Sequence, residues 1–330
     1  MTGKYLLSIL IPVYNASEWL ERCLDSIVSK SEFMDFVRVI CINDGSKDDS
    51  LDILERYKKE YRNMEVVSRE NCGIGATRNE LLRLVSTPFF WFVDADDFIS
   101  NDAFAKIIPL LQQDKYDMLM MGYFWGDAAG EGKCVLYGGK EYISGIELSD
   151  QGIFNNSLWT RVFRTSIARN HHVEFKNYQM GEDFDFIFKM TPHLGMVRCI
   201  NHVLYHYIVN PDSAITAPSM EHKLRASEHS LMCMEENFTS LSSYPENVQR
   251  VMRKPLNHFL MGYLYSVYVV HFTLKYKRDA FKRLRKVSAI PFFPLPEEKK
   301  KKWFLRIVNI GFLRNISLFM DNIYLRVKNG

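Results

Sequence analysis

Apolar residues follow two periods along the first third of the chain, and each period predicts a different kind of element. Continuous apolar runs predict four buried strands, over residues 6–13, 36–42, 64–67 and 88–93. Between these runs apolar residues recur every three or four positions, which predicts amphipathic helices over residues 17–29, 51–57 and 76–85. Strands that alternate with helices predict an α/β fold with a mainly parallel sheet, helices on both faces and right-handed crossovers.

The alternation ends after Phe98. The later pattern predicts helices over residues 101–113 and 181–190 and strands over residues 117–123, 196–200 and 203–208. Residues 126–139 are rich in glycine, which predicts a surface loop or a ragged hairpin.

A domain boundary is predicted near Pro218. From Glu221 the pattern is helical to the end of the chain, interrupted by prolines at 291, 294 and 296. Residues 1–218 are therefore expected to form one domain, and residues 219–330 a helical C-terminal region.

The composition is that of a globular protein. Hydrophobic residues make up 47% of the 330 residues, and no apolar run reaches the roughly 18 residues that predict a transmembrane helix. The six cysteines show no regular spacing, which is typical of free thiols in a reducing compartment rather than of disulfides or a zinc site. Because the first strand pattern begins almost at once, no signal peptide is expected.

The charge is unevenly distributed. Residues 275–330 contain 15 Lys and Arg against 4 Asp and Glu, a net charge of +11, whereas the whole chain carries +3 and residues 1–274 therefore −8. Four lysines at 299–302 precede an apolar stretch that begins at Trp303. This pattern favours an amphipathic helix on an anionic membrane surface. The alternative is a packed helix with a solvated basic face.

An aspartate cluster, Asp94, Asp96 and Asp97, directly follows the strand predicted over 88–93. Unpaired carboxylates at the end of a buried strand are costly, and a hard cation such as Mg²⁺ or Mn²⁺ is their natural partner. Because ligands of open α/β sheets bind at the carboxyl ends of strands, the cluster predicts a metal site for a phosphorylated ligand. A capped turn before a helix near Asn101 is the simpler interpretation.

Polar residues also follow the first two predicted strands. The first ends in Pro12, Tyr14 and Asn15, where an aromatic ring and an amide could hold a nucleobase. The second ends near Asp44, whose carboxylate can accept hydrogen bonds from a uracil N–H or a ribose hydroxyl. Taken singly, each is also explained as an ordinary turn before a helix.

A glycine-containing stretch leads into the third predicted helix. Gly73 and Gly75 permit a phosphate to approach the helix N-terminus closely, and Arg78 can pair with a phosphate or with Asp94. The stretch lacks the Gly-Lys-Ser/Thr element of a P-loop and the spacing of the dinucleotide fingerprint.

Two further candidates lie in the second half of the predicted first domain. Glu182 and Asp183 open a predicted helix, where they either compensate its dipole or supply a general base at a cleft. His206 lies in an aromatic strand just before a polar turn. Such a histidine is usually a core residue, and here it is also a candidate metal ligand.

The order of these pieces resembles that of the family 2 glycosyltransferases, which have the GT-A fold. The shared motifs are Pro-Val-Tyr-Asn, Asn-Asp-Gly-Ser, Asn-x-Gly-x-x-x-x-Arg-Asn, Asp-Ala-Asp-Asp and Glu-Asp, within about residues 5 to 215. The resemblance implies an inverting, metal-dependent transfer of a sugar from a UDP-sugar to a hydroxyl of a glycan or lipid-linked acceptor, of the bacterial surface-polysaccharide type. Nucleic acid is not an expected partner.

The resemblance also implies a role for each site residue. Asp183 would be the catalytic base, with Glu182 beside it. Asp96 would ligate Mn²⁺ or Mg²⁺, and His206 matches a position that binds metal in some members only. The residues implied to bind the donor nucleotide are Pro12, Tyr14, Asn15, Asp44, Asn71, Gly75, Arg78, Asp94 and Ala95.

The sequence departs from the family pattern in a few places. Asn43 replaces a commoner Asp, and Thr77 replaces a commoner Ala. The Gln-x-x-Arg-Trp signature of processive polysaccharide synthases is absent, which favours the addition of one sugar or a few. Residues 1–98 would bind the nucleotide sugar and residues 99–218 the acceptor, in an enzyme peripheral to the inner face of the cytoplasmic membrane.

Two alternatives have different chemistry. A nucleotidyltransferase that makes NDP-sugars would share the sheet and the metal. It would normally carry a glycine-rich loop with an activating Lys or Arg after the first strand, where this chain has Val13, Tyr14 and Asn15. The second alternative is a non-catalytic nucleotide-sugar-binding protein with a degenerate base, and the intact Asp94, Asp96 and Asp183 argue against it.

Overall fold

The computed structural model describes residues 5–29, 31–209, 219–269 and 272–287. These residues divide into two compact units. The first contains the chain up to Asn177 and resumes at Glu182, and the second contains Tyr178–Gly181 and the described residues from Ser219 onward. Several predicted features lie outside the described residues: the polar turn at 210–213, Pro218, the prolines at 291–296 and the tail from 299.

The first unit begins with the parallel sheet that the apolar runs predict. Its first four strands are β1 (Leu7–Val13), β2 (Val37–Asp44), β3 (Met64–Arg69) and β4 (Phe89–Phe92). β1 pairs in parallel with β2 and with β4, and β2 pairs in parallel with β3. The carboxyl ends of all four strands therefore meet at one edge of the sheet, and the α/β class is confirmed.

Helices cover both faces of this sheet because alternate strand residues point to opposite sides. The helices of this region are α1 (Leu20–Val28), α2 (Ser50–Glu60), α3 (Ile74–Leu84) and α4 (Ala103–Leu111). Ile9 and Ile11 of β1 belong to the core that contains α1 and α4, whereas Leu10 belongs to the core that contains Leu81 of α3.

The remaining strands extend the sheet on the far side of β4. They are β5 (Phe98–Ile99), β6 (Met118–Gly126), β7 (Gly132–Val135), β8 (Glu141–Tyr142), β9 (Arg161–Arg164) and β10 (Val197–Ile208). The spatial order is β3-β2-β1-β4-β9-β6-β10-β5, with β7 beside β6 and β8 beside β10. β7 is antiparallel to β6, so the glycine-rich segment contains a hairpin.

Two features of this half differ from the prediction. The strands predicted over 196–200 and 203–208 form the single strand β10, which shifts register against β6 after Ile200 and again after Val203. β9 has no counterpart in the sequence pattern, yet it joins β4 to β6 by antiparallel pairing with both. This strand has only four residues with an arginine at each end, so no apolar period identifies it.

Three short helices complete the first unit: α5 (Gly145–Asp150), α6 (Thr165–Asn170) and α7 (Glu182–Met190). α7 packs through Phe186, Ile187 and Met190 into the core that also contains Leu81. The first turn of α7 carries the predicted base.

The described part of the second unit is helical. Its helices are α8 (Met220–Leu241), α9 (Glu246–Val269) and α10 (Leu274–Lys286). Arg283 of α10 forms ion pairs with Glu228 and Glu235 of α8. The start of the basic segment is therefore a packed helix in which at least one positive charge is neutralised. Among the described residues, no helix is long and apolar enough to cross a bilayer.

Candidate active site

The aspartate cluster lies in a short loop directly after β4, and its three carboxylates have different surroundings. Asp97 is fully buried, whereas the Asp94 side chain is 26% exposed and Asp96 is also partly exposed. Burial raises the pKa of Asp97, and the negative charges of Asp94 and Asp96 raise it further. The loop therefore concentrates negative charge at the carboxyl edge of the sheet.

Asp97 and Tyr205 fix the shape of this loop. The Asp97 carboxylate accepts hydrogen bonds from the Tyr205 hydroxyl at 2.7 Å and from the Ile208 amide at 2.8 Å. The same hydroxyl accepts a hydrogen bond from the Asp94 amide at 3.1 Å. Sequence reasoning included Asp97 in the acidic cluster of the predicted metal site and gave Tyr205 no role. The available signal was a tyrosine in a predicted buried strand, because a buried phenol needs a polar partner.

Arg22 of α1 holds the loop from the other side. Its guanidinium donates to the Asp96 carbonyl at 2.8 Å and lies over the rings of Trp19 and Phe98. Ala95 is buried between the two acidic residues. The Asp96 carboxylate is thus carried on a loop that is anchored both by β10 and by α1.

Arg78 joins the loop to the predicted base. Its guanidinium donates to Asp183 at 2.6 Å, to Glu182 at 3.1 Å and to Asp94 at 3.4 Å. The Arg78 side chain is only 5% exposed, and its guanidinium lies over the ring of Phe175. Burial acts to lower the pKa of Arg78, but the charges of Asp183, Asp94 and Glu182 outweigh burial and raise it.

Asp183 therefore occupies a site where several influences compete. Burial has the largest effect and raises the pKa of the Asp183 carboxyl above its ordinary value. The positive charge of Arg78 lowers this pKa, and the negative charges of Glu182 and Asp94 raise it. The side chain is still 22% exposed, so a substrate hydroxyl has access to it. A carboxyl with a raised pKa is better suited to accept a proton near neutral pH.

The glycine-containing stretch has a structural explanation. A Cβ on Gly75 would collide with the carbonyl of Lys176, and one on Gly73 would lie 2.7 Å from the Asn177 side chain. Residues 175–177 run along the start of α3, where Asn79 exchanges two hydrogen bonds with the main chain of Phe175. Glycine is needed here for the approach of the protein's own backbone, rather than for a phosphate alone.

Asp44 anchors the same stretch. One of its oxygens accepts from the Cys72 amide at 3.0 Å and from Arg69 at 3.1 Å, and the other accepts from the Gly73 amide at 3.0 Å. Asn71 lies exposed at the start of this stretch. Asp44 thus sets the shape of this loop, and it is also the residue predicted to bind the nucleobase.

The end of β1 presents an exposed aromatic ring. Pro12 is buried within the strand, whereas Tyr14 is 50% exposed. Asn15 has a left-handed backbone (φ 47°), and its side-chain carbonyl accepts from the Lys47 amide at 2.8 Å. This hydrogen bond ties the loop after β1 to the loop after β2, which brings Tyr14 and Asp44 to the same edge.

His206 lies beside the aspartate loop, on a strand paired with β5. Its ring stacks on Phe98 with centroids 4.4 Å apart, and its Nε2 lies 2.9 Å from the Ser100 hydroxyl. That hydroxyl donates its hydrogen to the Val203 carbonyl, so Nε2 must carry the proton and donate to Ser100. The lone pair is then on Nδ1, and burial lowers the pKa of the ring.

The donor set is compatible with a divalent cation that is shared with a ligand. Among the described residues, no group of three or more His, Cys, Asp or Glu side chains is arranged to hold a metal. Mg²⁺ in phosphate-binding sites typically takes one or two carboxylates and completes its shell with phosphate oxygens and water. The partly exposed Asp96, in a loop of concentrated negative charge, fits that mode of binding.

Comparison with known proteins finds a family match in the first part of the chain. Residues 8–133 match the model of Glycosyl transferase family 2. The poly(ribitol-phosphate) beta-glucosyltransferase of Bacillus spizizenii is 29% identical over 62% of this chain, and the match spans 32% of that relative's length. The processive diacylglycerol beta-glycosyltransferase of Mycoplasma genitalium is 24% identical over 72% of each chain.

A solved structure shares the fold. The S. aureus TarS fragment crystallised with UDP-GlcNAc superposes with a TM-score of 0.70, at 17% identity, over 95% of this chain and 88% of that one. Residues 8–133 match the Glycosyl transferase family 2 domain, and the chain shares the fold of the TarS fragment.

Proposed function

We propose that this protein transfers a sugar from a UDP-sugar to a hydroxyl of a glycan or lipid-linked acceptor, with inversion at the anomeric carbon. The observation that carries the proposal is the Arg78 bridge, which holds the base candidate Asp183 next to the Asp94 loop. The structural neighbour TarS was crystallised with UDP-GlcNAc, which supports a UDP-sugar donor.

The donor is proposed to bind along the edge formed by β1, β2 and β3. Tyr14 offers an exposed ring for the nucleobase. Asp44 is buried and already accepts hydrogen bonds from Cys72 and Gly73, so it is proposed to support the nucleobase site chiefly by shaping the loop that carries Asn71. Arg78 is proposed to act chiefly on Asp94, Glu182 and Asp183, because its guanidinium is already engaged with these three carboxylates.

In the proposed mechanism, Asp183 removes the proton of the acceptor hydroxyl as that oxygen attacks the anomeric carbon. Arg78 keeps the Asp183 carboxylate oriented, and a fixed orientation of the base toward the acceptor hydroxyl lowers the barrier to reaction. Asp96 would hold Mn²⁺ or Mg²⁺, with His206 Nδ1 a second candidate, and a bound cation would neutralise charge on the leaving diphosphate.

We propose that one sugar or a few are added, because the sequence lacks the Gln-x-x-Arg-Trp signature. The Mycoplasma relative is named as processive and as acting on diacylglycerol. Its name supports a lipid-linked class of acceptor. Measuring the length of the glycan product would distinguish the addition of a single sugar from repeated addition.

Replacing Asp96 tests the metal assignment. Asp96→Ala should abolish transfer and remove the Mn²⁺-dependent part of UDP affinity, because the proposed carboxylate ligand is lost. Calorimetric titration of UDP with and without Mn²⁺ measures this, and Asp102→Ala, an exposed aspartate nearby, is the matched control. Unchanged Mn²⁺-dependent affinity in Asp96→Ala would contradict the assignment.

Replacing Asp183 tests the base. Asp183→Asn should keep donor affinity within a few-fold and lower turnover by about 100-fold or more, a typical loss for a general base. Because the pKa of Asp183 is raised, wild-type turnover should fall as the pH drops through a value above the ordinary carboxyl range. The exposed Asp102→Asn is the control, and near-normal turnover of Asp183→Asn would assign the base elsewhere, with Glu182 the next candidate.

The basic tail outside the described residues is proposed to bind an anionic membrane surface. Each Lys or Arg near such a surface contributes on the order of 1 kcal/mol, and salt weakens the attraction. The chain should co-sediment with anionic but not neutral liposomes, and truncation before Glu297 should abolish this while UDP-sugar hydrolysis persists. Equal sedimentation of full-length and truncated protein would favour a packed helix or a protein partner.

A further inference from the structure

A row of aromatic side chains leads away from the aspartate loop on the side opposite to the proposed nucleotide edge. The Trp159 ring stacks on Tyr205 at 4.5 Å and on Tyr207 at 5.5 Å, with planes within 16° and 19° of parallel. Tyr123 meets Trp159 edge-on at 4.8 Å. Trp91 of β4 fixes this arrangement, because its indole N–H donates to the Trp159 carbonyl.

The row ends in residues that are not fully covered. In the parallel pair of β6 and β10, Tyr123 lies opposite Tyr205, and Trp125 lies opposite Tyr207. Residues two apart on a strand share one face, so all four side chains belong to the same face of the sheet. Tyr205 is fully buried, Tyr123 and Tyr207 are half-buried, and Trp125 is 48% exposed.

The inner end of the row lies against the aspartate loop. Tyr205 contacts the loop directly, since its hydroxyl bonds to Asp97 and to the Asp94 amide. Tyr207 is two residues further along β10.

The order of the strands separates two sides of the aspartate loop. β1, β2 and β3 lie on one side of β4, and β9, β6 and β10 lie on the other. Tyr14 and Asp44 are on the first side, and Trp125 and Tyr207 are on the second. An inverting transfer needs its two substrates on opposite faces of the reacting carbon, so the second side is available to the acceptor.

We propose that Trp125 and Tyr207, backed by Tyr123 and Trp159, form a platform on which a pyranose ring of the acceptor stacks. The inference rests on the proposed function and adds a substrate class to it: the acceptor presents a sugar ring next to the hydroxyl that is glycosylated. The negative face of an aromatic ring attracts the C–H groups of a pyranose, and the nearby carboxylates can accept hydrogen bonds from its hydroxyls.

The competing occupant is an acyclic polyol phosphate. Lys133 of β7 lies opposite Trp125 in register and is exposed, so one cation is available at the rim of the platform. Against this, the platform consists of two aromatic side chains, whose flat faces suit a ring and which an acyclic polyol cannot match. The observations favour a neutral ring, and the experiment includes both ligands.

Ligand titration of protein labelled with fluorotryptophan tests the platform without a donor. The chain has five tryptophans, and the Trp125 fluorine resonance is assigned by its loss in Trp125→Phe. Millimolar chitotriose or maltotriose should shift the Trp125 resonance, whereas ribitol phosphate should not. No shift with either oligosaccharide, or an equal shift with ribitol phosphate that Lys133→Ala removes, would overturn the proposal.

Kinetics distinguish the acceptor side from the donor side. With a pyranose acceptor, Trp125→Ala should raise the acceptor KM by about tenfold, corresponding to about 1.4 kcal/mol of lost stacking. Trp125→Phe should bring the acceptor KM most of the way back to the wild-type value, because an aromatic ring remains at this position. The donor KM for UDP-sugar hydrolysis should not change, and Tyr265→Ala, an exposed aromatic of α9, should have no effect.

The result also separates this proposal from the proposed function. If UDP-sugar hydrolysis is absent in the wild type, the proposed function fails whatever the titration shows. If hydrolysis is present and Trp125→Ala leaves the acceptor KM unchanged or raises the donor KM instead, the platform proposal fails while the proposed function stands.

Discussion

The candidate active site depends on one buried guanidinium group, that of Arg78, which pairs with three carboxylates. Arg78 contacts Asp94, Glu182 and Asp183, which come from the end of β4 and the start of α7. Two buried or half-buried carboxylates without a cation would repel each other, so removing Arg78 would separate the two parts of the site. Even with Arg78 present, the three carboxylates leave a local negative charge that a divalent cation can compensate.

The loop after β4 is held independently of any ligand. Tyr205 bonds to both Asp97 and the Asp94 amide, and Arg22 bonds to the Asp96 carbonyl. Asp97 therefore shapes the loop that carries Asp96, the proposed metal ligand. The same tyrosine begins the aromatic row, so loop shape and the proposed acceptor platform have a common anchor.

The sequence predicts the parts of the fold that have a clear period. β1 to β4 and their helices follow from continuous apolar runs and helical spacing, and the acidic residues at the strand ends follow from the rule that ligands bind there. β9 was missed because its four residues are framed by two arginines: Arg161 donates to the nearby Ser157 carbonyl, and Arg164 pairs with the distant Asp117. The explanation of Gly75 from the sequence was also incomplete, because only the folded chain brings the Lys176 backbone against this glycine.

The pH dependence of turnover in Arg78→Lys, measured together with UDP affinity, tests the central claim most directly. Lysine keeps the charge but cannot bridge three carboxylates, so the pKa of Asp183, which Arg78 now holds down, should rise. We expect the rising limb of the turnover profile to move to higher pH, with UDP affinity within a few-fold of wild type. An unchanged profile combined with a large loss of UDP affinity would mean that Arg78 binds the diphosphate instead, and would contradict the account.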